Sequence, residues 1–349
     1  MRARRFAAVA AALLLGGALG VGAPHARAEL PQLGVGVVVT DLGSLDGNLS
    51  AAFDINDVGQ AVGVSWVHDA GGVVRYHAVL FARGQVVDLG VPAGATDSMA
   101  LDINNQGVVV GFGQHADGHH PAAFTPAGGS LPFVPGDLGE ANAISDSGGT
   151  VVGELFRPAR HAFAAQAGSV SDLGGLGGPR SDAVAVDASG VVAGNAVDAA
   201  GQTWAVTYSG GAVTNLGTLP GGTSSTAADS NALGTVVGSA TLATGQVHAA
   251  SFAGGMVTDL GVVPGDIWSG AAAVNLLGIA VGQSCSAASC RAALFVPGAA
   301  PVDLNSLLPA GSGWVLERAT GVNVLGQVVG IGTLGGHQRA FMLGPVLPR

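Results

Sequence analysis

The sequence predicts an all-β fold, a seven-bladed β-propeller in one domain whose N-terminal strand completes the last blade, and three observations carry that expectation. A block of the form Ser-x-Ala-x-x-Ile-Asn-x-x-Gly-x-Val-Val-Gly recurs seven times. Each copy is followed by a second strand pair, giving a four-strand unit in the roughly 40 to 50 residues of a propeller blade. The segment that closes the unit, ending in Asp-Leu-Gly, stands before the first block and is missing after the last.

Ahead of the repeats, residues 1–28 read as an export signal. Arg2, Arg4 and Arg5 precede an apolar run from Phe6 to Val21, and Ala26-Arg27-Ala28 supplies a small-residue cleavage site. Arg4-Arg5-Phe6 has part of a twin-arginine pattern without its flanks, which favours the general secretory route. The rest, 29–349, is expected to be one domain: closing strand 34–43, repeats 44–344 and a short tail 345–349. No later run is apolar for long enough to span a bilayer, so a soluble, monomeric protein is expected outside the cytoplasm, either extracellular or periplasmic.

Only 10% of residues are charged and 48% are hydrophobic, which supplies a core and excludes disorder. The 59 glycines lack the collagen period, so they mark turns between short strands. The net charge is −10, every basic residue is Arg, and removal of the leader makes the remainder more acidic. Such a surface lacks the positive field that nucleic acid and anionic lipid require. Cys285 and Cys290, an even count in an exported chain, read as a local disulfide.

The first block is SAAFDINDVGQAVG from Ser50, and later copies begin at Ser98, Glu140, Ser181, Ser225, Ser269 and Glu317. Each ends in Gly63, Gly111, Gly153, Gly194, Gly238, Gly282 or Gly330, with Gly59, Gly107, Gly149, Gly190, Gly234, Gly278 or Gly326 four positions earlier. Asn56, Asn104, Asp187, Asn231, Asn275 or Asn323 opens a turn that the inner Gly closes in the left-handed region, with Ser145 in that place in the third copy. This makes a β-hairpin, with β-branched residues as its strands. Ala52, Ala100, Ala141, Ala183, Ala227, Ala271 and Ala319 recur on the incoming strand, as a crowded position between blades requires.

The second pair starts with segments such as YHAVLFA from Tyr76 and RHAFAA from Arg160, and closes on endings that begin at Asp41, Asp88, Asp137, Asp172, Asn215, Asp259 and Asp303. Only QRAFMLG follows the last block, so the Asp41 segment is the missing copy and sews the ring shut. The alternative is an open β-repeat solenoid, which would need a polar capping repeat that this chain lacks.

Asp-Leu-Gly, the Ser-x-Ala block and a His-Ala-Phe strand, literal at His161-Ala162-Phe163, together make a pattern that resembles the HAF-repeat family of probable extracellular proteins. The match spans nearly all of the exported chain, although Thr203-Trp204-Ala205 and Cys290-Arg291-Ala292 depart from His-Ala-Phe, which weighs against a chemical role for that His. The resemblance implies export and a repeat fold and brings no catalytic residues.

Function must come from residues that break the repeat. His115, Asp117, His119 and His120 offer ligands suited to zinc or copper, although the segment has no fixed spacing motif and reads first as a solvated loop. Trp268, Trp314, Arg157, Arg160, Arg180, Asp182, Asp266 and His337 fall with His68, Asp69, Arg75 and Glu154 on the face that carries the loops between blades. Trp beside Arg and carboxylates makes a sugar or peptide platform, set against ordinary loop decoration. Asp54, Asp102 and Asp229 share one slot on the innermost strand, where they would either attract calcium or accept local backbone donors. His77, His161 and His248 share a slot too, which favours packing over catalysis.

No Ser-His-Asp order, phosphate loop or His-Glu-x-x-His stands out, and Tyr76 and Tyr208 lie in blade strands. The expected function is therefore a secreted module that binds or scaffolds an extracellular glycan or protein, without a cofactor other than the calcium or zinc named above. The alternatives are a propeller hydrolase or lyase acting on glycans, which needs paired carboxylates in the funnel, and a structural surface repeat protein.

Overall fold

Each copy of the Ser-x-Ala block forms the inner hairpin of its own antiparallel sheet. The protein is described by a computed structural model over residues 37–47, 49–124, 138–156 and 160–345. Residues 1–28, expected to be an export signal, residues 34–36 of the closing segment, Asp137, Arg157 and the tail beyond Pro345 lie outside the described residues.

Strand β1 (Val37–Asp41) comes first and belongs to the last blade. Blade 1 is β2 (Ser50–Ile55), β3 (Ala61–His68), β4 (Val74–Ala82) and β5 (Gln85–Gly90), and blade 2 shows β6 (Asp97–Ile103), β7 (Val109–His115) and β8 (Gly118–Phe124). Blade 3 is β9 (Gly139–Ile144), β10 (Thr150–Leu155), β11 (His161–Gln166) and β12 (Ser169–Gly174). Blade 4 is β13 (Gly177–Val186), β14 (Val192–Asp198), β15 (Thr203–Ser209) and β16 (Ala212–Asn215). Blade 5 is β17 (Ser225–Ser230), β18 (Val236–Thr241), β19 (Val247–Ala253) and β20 (Met256–Gly261). Blade 6 is β21 (Trp268–Val274), β22 (Ala280–Cys285), β23 (Cys290–Phe295) and β24 (Val302–Asp303). Blade 7 is β25 (Trp314–Val322), β26 (Val328–Leu334) and β27 (His337–Pro345), completed by β1.

The ring is closed. β1 pairs antiparallel with β27 from Val37 opposite Pro345 to Asp41 opposite Phe341, so β27 runs one residue into the expected tail. Seven buried clusters lie between adjacent sheets, one per interface; the cluster joining blade 7 to blade 1 contains Ala52, Ile55, Phe81, Val329 and Ala340. An open array would leave two terminal faces bare. The recurring alanines are the tightest points, with Ala52, Ala100, Ala141, Ala183 and Ala319 fully buried.

The inner turns form as the sequence expects. The Asn56 carbonyl accepts the Gly59 N–H at 3.1 Å and Gly59 sits at φ +81°. In the third copy the left-handed residue is Gly148, at φ +71°, rather than Gly149, because the extra residue falls after it. A bulge between Ala52 and Asp54 presses strand against strand so closely that a Cβ on Gly63 would collide with the Ala51 carbonyl.

Cys285 and Cys290 form the expected disulfide between β22 and β23. Among the described residues, no helix is long and apolar enough to cross a membrane.

Candidate functional site at the channel mouth

The repeated polar residues lock strands within a blade and each blade to the next. His77 Nδ1 lies 2.9 Å from Asp88, His161 Nδ1 2.7 Å from Asp172 and His248 Nδ1 3.0 Å from Asp259, each joining the third strand of a blade to its fourth. Arg291 takes this place opposite Asp303 at 3.4 Å and Arg339 opposite Asp41 at 4.0 Å. In the blade where the slot holds Trp204, the segment carries the neutral Asn215 in the Asp place and the indole N–H donates to Asp198 at 2.7 Å instead. Where the Asp-Leu-Gly segment supplies an Asp the slot holds His or Arg, and where it supplies Asn215 the slot holds Trp204.

The same segment meets the next block. Ser98 Oγ donates to the Gly90 carbonyl at 2.7 Å and accepts the Ala78 N–H at 2.8 Å, and Ser181, Ser225 and Ser269 repeat the arrangement. All three words of the repeat thus form one hydrogen-bonded joint.

An antiparallel blade sends its first-to-second turn to one face, and its second-to-third loop and interblade linker to the other. At the turn face the channel widens into a cavity of about 380 Å³ lined by the inner-strand ends, including Asp54, Asp102 and Asp229. Each of these carboxylates accepts a backbone N–H from the neighbouring blade: Asp54 from Ile103 at 3.1 Å, Asp102 from Ile144 at 2.6 Å and Asp229 from Val274 at 2.8 Å. Burial pushes the Asp229 carboxyl up to about 7, and burial beside Asp54 raises that of Asp102. The slot is an interblade clamp.

Symmetry breaks at the linker face. The position before the recurring Ala is Ala51, Met99, Glu140, Asp182, Thr226, Gly270 and Arg318 around the ring; on the second strands it meets Val64, Phe112, Glu154, Asn195, Ser239, Gln283 and Ile331. One side of the mouth is apolar, the other polar, and the acids gather on blades 3 and 4.

There the structure brings together four residues singled out in the sequence. Arg160 Nη1 lies 3.4 Å from Glu154 and Arg180 Nη2 3.9 Å from its other oxygen, and the Arg160 guanidinium stacks 4.5 Å over Phe156. Glu154 Oε1 is buried with no hydrogen-bond donor among the described residues. Burial raises the carboxyls of Glu154 and Asp182, and Asn195 donates to Asp182 at 3.0 Å. His119 joins from blade 2, 2.6 Å from Glu140 and stacked on Phe112 at 4.1 Å.

Other expected members stand elsewhere. Trp314 is buried and packs edge-on against Phe341 at 6.2 Å, so it serves the core and cannot stack a ligand. Asp266 is buried beneath Arg291 at 3.2 Å, and His337 is exposed at a turn of blade 7. Arg75 pairs with Asp69 and Asp97, and His68 with Asp46. The histidine cluster divides, because His115 and His120 meet at a tilt with ring centres 4.2 Å apart, beside Asp117, while His119 turns to Glu140. Among the described residues no three such side chains are placed to hold a metal ion. Glu140, Asn195 and Arg318 were not singled out in the sequence; comparing one slot across all seven copies exposes them.

No family model matches the chain, and neither does any curated protein. Solved structures do. The β-propeller domain of the Trilobed protease from Pyrococcus furiosus, described as having an open velcro topology, aligns at TM-score 0.56 and 11% identity over 84% of this chain and 93% of that one. A puromycin-hydrolyzing peptidase from Mycobacterium tuberculosis aligns at 0.51 and 14%, over 82% of this chain and 50% of that one. TolB from Acinetobacter baumannii aligns at 0.48 and 11%, and the chain spans 64% of its length. The first two likenesses define the class: a β-propeller, here with its last blade closed by β1.

Proposed function

We propose that this chain is an exported binding module that engages an extracellular glycan at the linker-face mouth, through Glu140, Glu154, Asp182, Arg160 and Arg180. The observation that carries the reading is Glu154: Arg160 holds one carboxylate oxygen, while the other, buried Oε1, has Arg180 only at 3.9 Å and no hydrogen-bond donor among the described residues. A ligand hydroxyl would supply the missing hydrogen. The HAF-repeat resemblance and the disulfide support placement outside the cytoplasm.

The test is a glycan array probed with residues 29–349. Glu154→Gln and Arg180→Ala should each weaken the strongest signals at least tenfold without lowering Tm by more than a few degrees. Unchanged signals would sink the reading.

A glycan-cleaving activity is the second reading. It is favoured by the raised carboxyls of Glu154 and Asp182 in one tier of adjacent blades, as a general acid requires. New reducing ends, or unsaturated ends from a lyase, that disappear in Glu154→Gln would establish it.

A further inference from the structure

Across the mouth from the acids, blades 5 to 7 enclose a second hollow of about 130 Å³, lined by Trp268, Arg318, Gln283, Ser239 and Thr226. It adjoins the axial cavity, since Ala228 and Ala272 line both. Trp268 opens β21, and its indole lies across Gly270, where a Cβ would stand 3.3 Å from the ring. A side chain there would push the ring aside by a few tenths of an ångström, and glycine leaves the approach clear in the slot where Arg318, Thr226 and Asp182 stand in other blades.

Arg318 differs from its fellows. Arg75, Arg160, Arg180, Arg291 and Arg339 each pair with a carboxylate; among the described arginines only Arg83, at the turn between β4 and β5, and Arg318, exposed on β25, have no ion pair, and of these two Arg318 alone lines the hollow. Thr226 and Ser239 present hydroxyls 2.8 Å apart in the same hollow.

We propose that this hollow is a subsite for one uronic acid residue of a glycan. The indole stacks on the ring's C–H face, Arg318 forks onto the carboxylate, and Thr226, Ser239 and Gln283 bond the ring hydroxyls. A chain of net charge −10 disfavours densely charged polyanions, so a uronate set among neutral sugars fits better than a sulfated chain. The proposal deepens the reading of this mouth as a glycan surface and rests on it.

The probe is glucuronic acid, titrated by calorimetry into residues 29–349, with glucose, the methyl ester of glucuronic acid and N-acetylglutamate as comparisons. Glucuronate should bind at least tenfold more tightly than each of the three. Arg318→Gln should abolish that preference, and Trp268→Phe should weaken glucuronate several-fold while Tm stays near the parent's. Equal binding of glucose, equal binding of N-acetylglutamate, no measurable glucuronate binding, or an unchanged affinity in Arg318→Gln would each overturn it. Glu154→Gln separates the two readings, because it should weaken array signals at least tenfold while leaving the affinity for glucuronate unchanged.

Discussion

Asn323 donates from Nδ2 to the Asn56 carbonyl at 3.1 Å, joining residues 267 positions apart. The bond is one link of a chain: Asn56 donates to the Asn104 carbonyl, Asn104 to Ser145, Asn231 to Asn275 and Asn275 to Asn323. Where the slot holds Ser145 or Asp187 there is no amide to donate, and Asn142 and Asn195 reach the next blade instead, at Ala183 and Ala227. Each neighbouring pair in the ring is tied by an amide or a carboxylate.

Asn323→Ser, which copies the third blade's own residue, should destabilise the fold by about 1–3 kcal/mol, because a buried carbonyl loses its donor. Urea unfolding measures it. A midpoint equal to the parent's would mean that the closing link contributes nothing.

Arg339 donates to Ser44 Oγ and to the Gly47 carbonyl, both at 2.7 Å, and so clasps the segment that follows β1. Arg339→Ala should cost about 1–3 kcal/mol and speed proteolysis within residues 37–47. Deleting 37–41 should go further and give higher oligomers by size exclusion, since β27 becomes a bare edge. A monomeric deletion variant with parental Tm would contradict the role of β1.

Asp229 gives a pH signature. Its folded pKa, about 7, lies above the usual 3.8, so the fold holds the proton more tightly than the unfolded chain does. That stabilisation is complete below the unfolded value and is lost as pH rises through about 7. Asp229→Asn keeps one acceptor oxygen for Val274, gives up the second that accepts the Ser230 N–H, and needs no proton, so its Tm relative to the parent's should rise between about pH 4 and pH 8. Asp117 and Asp198, held low by hydrogen bonds from His120 and Trp204, give the opposite slope in both proteins and cancel in the difference. A difference that stays flat with pH would reject the assignment.

The Cys285–Cys290 bridge closes a short loop between strands already paired at both residues. Cys285→Ser with Cys290→Ser should therefore cost about 2 kcal/mol or less and leave the circular dichroism spectrum unchanged. Loss of folding would show that the bridge does more than staple.

The blade count and the displaced Asp41 strand were readable because each rests on repetition, and so was the inner turn, where Asn56 and Gly59 are chemically required. The His–Asp joint was only half readable: His161 and Asp172 stand 11 positions apart, and nothing along the chain says that β11 and β12 bring them together. Trp314 misled for a different reason. A Trp at a strand entrance reads as exposed until Phe341 and Leu316 are seen to enclose it. The mouth was legible in Arg160, Arg180 and Asp182, yet Glu140 and Arg318 sat inside the repeat itself, where they passed for strand residues.

The seam between β1 and β27 also sets how the ring answers to force. Val37 faces Pro345, so a load applied between those two residues pulls on the same end of an antiparallel pair and separates its hydrogen bonds one after another. The ring is then mechanically weakest where it is closed, and a tether at these two points would peel β1 away while the six other blades remain intact.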